Sequence, residues 1–117
     1  MVMDNELERQ ATDFIDRFLA ADEPERAELK AKGAELAHQL RRRAIDLAHS
    51  RATEFSPRLK LYHQLAAKVA LLAYGPDNEA LAIFERDIRY YRNFASTQAL
   101  VDEYESFRAA HVNPCVS

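Results

Sequence analysis

Five stretches of this chain repeat their apolar residues at steps of three and four, and only two glycines punctuate its 117 residues. That spacing gathers apolar side chains on one face of an α-helix at 3.6 residues per turn. Alanine and leucine dominate, with 20 and 13 residues, while valine, isoleucine and threonine together number 12. Sandwiches and barrels need β-branched strands and glycine-bearing turns, so an all-β fold is excluded. One cysteine rules out a disulfide scaffold and a cysteine-based zinc finger. No apolar run approaches the ~18 residues a membrane span requires. The acid-rich start from Met1 to Arg9 lacks the apolar core of a secretory leader. With 48% apolar and 30% charged residues, one domain of this length builds a core without metal or disulfide. The expected fold is all-α: a four- to five-helix antiparallel or orthogonal bundle, a single domain over 1–111. Residues 112–117 are expected to form a flexible tail carrying Cys115 as a free thiol.

The first helix is expected from Leu7, Ala11, Phe14, Ile15, Phe18 and Leu19, with Asp4 able to cap its start. Asp22-Glu23-Pro24 ends it, and Pro24 suits the first turn of a second helix over about 24–51. There Leu29, Gly33, Leu36, Leu40, Ala44 and Leu47 share a stripe, opposite the small residues Ala27, Ala31 and Ala34. Gly33 points to close packing against a neighbouring helix; the alternative is a break, since glycine costs about 1 kcal/mol inside a helix. Ser50 to Pro57 reads as a loop, with Ser56 able to cap the third helix. That helix, up to Tyr74, is apolar on nearly every side, the mark of a central helix. Gly75-Pro76 stops it, with Gly75 suited to a left-handed C-cap. The fourth begins at Asp77 or Asn78 and carries two stripes about 100° apart. Leu81, Phe84, Ile88 and Tyr91 form one; Ile83, Tyr90 and Phe94 form the other. It ends or kinks near Ala95. Ser96 caps a last helix with Leu100, Tyr104, Phe107 and His111 on one face.

The net charge of −3 conceals a strong asymmetry. Residues 1–40 sum to −5, residues 41–68 to +5 and residues 69–117 to −3. The basic middle holds Arg41, Arg42, Arg43, Arg51, Arg58, Lys60 and Lys68. It could bind phosphates or an acidic protein, or it could pair with the acidic ends of its own chain. Three consecutive arginines spread over about 200° of a helix and do not make one patch. The domain is acidic overall and has no tight helix-turn-helix, so nucleic acid is an unlikely partner.

The string Ala37-His38-Gln39-Leu40-Arg41-Arg42-Arg43-Ala44-Ile45-Asp46-Leu47 resembles the phosphorylated helix of histidine-phosphotransfer domains. His38, Leu40, Arg41, Ala44 and Leu47 match that family's pattern over about eleven residues. The resemblance implies His38 as an exposed phosphoacceptor, with Arg41 one turn away to neutralise the phosphoryl group. Arg42 stands where the family has a flat glycine, and a long side chain there obstructs a docking receiver domain. Glu35-x-x-His38 and Asp46-x-x-His49 have metal-ligand spacing but lie about 16 Å apart along the helix, so they share no centre. No metal or other cofactor is expected. With two glycines the chain builds no phosphate loop, and it has no nucleophile motif. His63 and His111 read as structural histidines.

The second stripe of the fourth helix is surplus to a single core. It is expected either to pack a second neighbour or to form a contact surface of Ile83, Tyr90 and Phe94 rimmed by Arg89 and Arg92. The expected function is a non-catalytic bacterial cytoplasmic helical protein. It would act by protein–protein contact with a partner or with itself, as an adaptor, immunity-type or regulatory module. The alternatives are phosphotransfer at His38 and nucleic-acid association through residues 41–68.

Overall fold

Residues 59–73 leave water almost no face to wet, and the other described helices pack around them. The computed structural model describes residues 4–49 and 57–111. Among these residues the fold is all-α, with helices α1 (Asp4–Ala20), α2 (Glu23–His49), α3 (Pro57–Tyr74), α4 (Leu81–Arg89) and α5 (Gln98–His111). Two short 3₁₀ segments, Tyr90–Asn93 and Ala95–Thr97, join α4 to α5. In α3, Leu59, Tyr62, Leu65, Ala66, Ala67, Val69, Ala70, Leu71, Leu72 and Ala73 are all buried. The helix packs against α1, α2, α4 and α5, the central position its all-round apolar pattern calls for. None of the described helices is long and apolar enough to cross a membrane.

Local chemistry sets the helix ends. Asp22 Oδ1 accepts the Glu25 N–H at 3.1 Å, which satisfies one of the free donors in the first turn of α2. Arg26 then ties α2 back to α1. Its guanidinium donates to the carbonyls of Phe18 at 2.9 Å and Leu19 at 3.1 Å, and lies over the Phe18 ring. Gly75 adopts φ +87° and its N–H returns to the Leu71 carbonyl at 2.9 Å, the left-handed stop expected after α3. Asn78 does not open α4 directly. Its Oδ1 accepts the Ala80 N–H at 2.8 Å, and regular helix begins at Leu81.

The α4 helix also ends earlier than the expected Ala95, at Arg89. Thr97 supplies the reason. Its buried hydroxyl donates to the Tyr91 carbonyl at 2.5 Å and sits 3.1 Å from that of Phe94. Thr97, rather than Ser96, therefore holds the joint, with Phe94 extended between the two 3₁₀ turns. The expected loop 50–56, Arg51, and the tail with Cys115 lie outside the described residues.

Helix α2 runs unbroken through Gly33, so the close-packing expectation holds and the break does not occur. A Cβ at this position would overlap the Phe14 ring of α1 and lie 3.0 Å from the Ala73 Cβ of α3. Three helices thus meet at one missing methyl. Gly33→Ala should therefore lower unfolding free energy by about 1–2 kcal/mol in a urea titration, even though alanine favours the helix by about 1 kcal/mol. A variant more stable than wild type would show that Phe14 yields without cost.

Candidate functional site

Three of the seven basic residues of the middle stretch are answered within the fold. Arg58 reaches Glu8 of α1 at 3.1 Å, and Lys68 reaches Glu103 of α5 at 3.1 Å while lying over the Phe107 ring. Arg41 Nε meets Asp87 Oδ2 of α4 at 2.7 Å, with both side chains half-buried. Arg42 is exposed and Arg43 half-buried. The internal pairing thus accounts for part of the asymmetry seen in the segment charges.

His38 is exposed, as the resemblance implies. Its Nε2 lies 2.9 Å from the Tyr74 hydroxyl, and its ring stands edge-on to Phe84 at 5.2 Å. Arg41 turns away to Asp87, so the cation that the phosphotransfer resemblance pairs with His38 is held elsewhere. Glu35, Asp46 and His49 are exposed, and no group of three metal-ligating side chains forms among the described residues.

The surplus stripe of the fourth helix divides. Ile83 is half-buried against the core, and Phe94 is half-buried. Tyr90 is the one large apolar side chain left exposed among the described residues, at 44%. Its ring stands edge-to-face with Tyr91 at 5.6 Å and with Phe94 at 5.4 Å. The two expected rim arginines converge on one carboxylate. Arg89 grips Glu105 with two prongs, at 2.8 and 3.2 Å, and Arg92 reaches the same Glu105 at 2.9 Å. These bonds hold the turn after α4 against α5.

Behind this rim lies a group that the sequence did not single out. Glu85 is buried and accepts hydrogen bonds from the Tyr104 hydroxyl at 2.6 Å, Arg108 at 2.7 Å and Arg89 at 3.3 Å. Burial and the Glu85 carboxylate both push the Tyr104 phenol up. Arg89 holds the Glu105 carboxyl below the usual carboxylate range, and Lys68 does the same for Glu103. Tyr104 inside an apolar stripe implied a partner for its hydroxyl, and Glu85 sits four residues before Arg89, but neither feature names Glu85 as that partner.

On the opposite flank of α4, His63 of α3 approaches Asp87. Its Nδ1 is buried, lies 3.9 Å from Asp87 Oδ2 and has no hydrogen-bond partner among the described residues. Burial holds the imidazole below its ordinary value; Asp87 opposes that shift and Arg41 adds to it. His63, Asp87, Arg86, Tyr90, Tyr91, Ala48 and Leu59 line a cleft of about 310 Å³. No family model, curated protein or solved structure matches this chain.

The charged clusters bear on stability in two measurable ways. Glu85→Ala strips Tyr104 and Arg108 of their acceptor and should lower unfolding free energy by about 2 kcal/mol, measured by chemical denaturation. A change below about 0.5 kcal/mol would show that the network carries no stability. Glu105 and Glu103 bind protons more weakly in the folded chain than at the ordinary 4.5. Their contribution is complete above that pH and is lost as pH falls through and below it. The urea midpoint should therefore drop between about pH 5 and 3, and Glu105→Gln should drop less over that interval. An equal drop in the variant would remove Glu105 from the account.

Proposed function

We propose that this protein acts by binding another protein, without catalysis, as an adaptor, immunity-type or regulatory module in a bacterial cytoplasm. The exposed Tyr90 ring, propped edge-to-face on Tyr91 and Phe94, is the observation that carries this reading. Tyrosine and arginine are the residues that most often anchor interfaces. A ring already held by its neighbours loses little freedom on binding, and Arg89 and Arg92 are likewise oriented by Glu105 before any partner arrives.

Charge narrows the partner. In the ion-paired cluster that α4 and the turn after it form with α2 and α5, five arginines at 41, 86, 89, 92 and 108 meet three carboxylates at 85, 87 and 105. The cluster keeps a surplus of two positive charges on a chain whose net charge is −3. A second copy docking by the same face would set like charge against like. A different protein, with an apolar socket and an acidic rim, suits the surface better. Phosphotransfer at His38 and nucleic-acid binding through 41–68 rank lower, because Arg41, Arg58 and Lys68 already hold carboxylates of this chain.

A photoreactive phenylalanine placed at position 90 should crosslink a discrete partner in the source cell. Adding Arg86→Glu, on a side chain that is 73% exposed, should weaken that capture. The same photoreactive residue at exposed Asp16 of α1 should not capture that partner. Identical products from positions 90 and 16, or only a crosslinked dimer of this chain, would overturn the reading.

A further inference from the structure

The cleft behind Tyr90 has features that protein docking does not require. Asp87 is pinned by Arg41, and His63 approaches the same carboxylate oxygen from α3. His63 lines the cleft, and its Nδ1 is buried. With its hydrogen on Nδ1, the ring would turn that hydrogen, rather than a lone pair, toward Asp87. Nε2 is then left as a lone-pair acceptor. Burial disfavours the imidazolium and keeps that lone pair available near neutral pH.

The other walls are flat or apolar. Ala48 and Leu59 supply aliphatic surface, and Tyr90 and Tyr91 supply rings. Tyr91 lies 5.9 Å from the His63 ring, tilted by 55°. Arg86 stands at the mouth, largely in solvent. A cleft of about 310 Å³ falls at the small end of ligand pockets, which combine an apolar lining with a few oriented polar groups.

We propose that this cleft binds a hydroxylated aromatic ring, a phenol, whose O–H donates to Nε2 of His63 while its ring packs against Tyr90 and Tyr91. The class is set by the polarity of the one oriented acceptor. A neutral imidazole with a lone pair on Nε2 has no hydrogen there for a carboxylate to accept, but it accepts a hydroxyl proton. Edge-to-face packing favours a flat ring over an aliphatic chain. No bond is made or broken. The inference is independent of the protein-contact reading, because a small ligand can bind whether or not Tyr90 meets a partner.

The test uses p-cresol as probe and 4-methylanisole, which keeps the ring but has no donor, as control. Both are titrated into the full chain and followed by NMR. p-Cresol should give saturable shifts at Ala48, Leu59 and the His63 ring, and 4-methylanisole should bind about tenfold more weakly. In His63→Phe the two probes should bind alike. The nitrogen spectrum of the unliganded wild type should place the His63 hydrogen on Nδ1, a readout that stands even if the variant does not fold. Equal affinity of the two probes for wild type would overturn the proposal. So would the absence of saturable shifts, tighter binding of 4-methylbenzoate than of p-cresol, or a hydrogen on Nε2.

Discussion

The α3 helix gives water almost nothing to solvate, and every other element is placed by the need to cover it. Its large side chains each gain about 1.5–3 kcal/mol when removed from water, and they point in too many directions for one neighbour to cover. Helices α1 and α2 close one side, with Gly33 leaving room for Phe14 of α1 and Ala73 of α3 to pack against the α2 backbone. Helices α4 and α5 close the other side. Even Gln64, buried within α3, directs its amide to the Leu100 carbonyl of α5 at 3.4 Å.

The two sides are held differently. The α1–α2 side is an apolar joint fixed by the Gly33 contact, with Arg26 fastening one helix end. The α4–α5 side joins a nine-residue helix to its neighbour through Glu85, Glu105 and the arginines around them. Such charge-assisted contacts orient more than they stabilise. They fix the turn that presents Tyr90, so the exposed ring and the arginines beside it are set by one network. The same short helix supplies Asp87 to the opposite flank, where Arg41 and His63 meet it. Both candidate sites therefore depend on how α4 is seated against α3.

Much of the fold was legible because helix periodicity and punctuation are local. The all-round apolar pattern of α3 gave its central position, Gly75 its stop, and Gly33 its packing contact. The surface was less legible. Segment charges exposed the basic middle but not its pairings, since Arg41 and Asp87 are 46 positions apart in the chain. A uniform helical wheel grouped Ile83, Tyr90 and Phe94. The backbone tightens to 3₁₀ after Arg89, near 3.0 residues per turn, and is extended at Phe94, so the wheel's angle between Tyr90 and Phe94 does not hold. The tightening depends on the Thr97 hydroxyl reaching back to Tyr91, a contact that no local propensity encodes. Glu85 was invisible for a related reason: a carboxylate beside an apolar stripe looks solvent-facing until Tyr104 and Arg108 arrive from another helix.

Native-state hydrogen exchange tests the central place of α3 most directly. Amides from Tyr62 to Ala73 should exchange only through global unfolding, at the free energy given by denaturation, while those of α4 and the 3₁₀ turns after it open at lower cost. If α3 amides exchanged at a lower free energy than those of α4 or α5, the wrapping of the bundle around α3 would be contradicted.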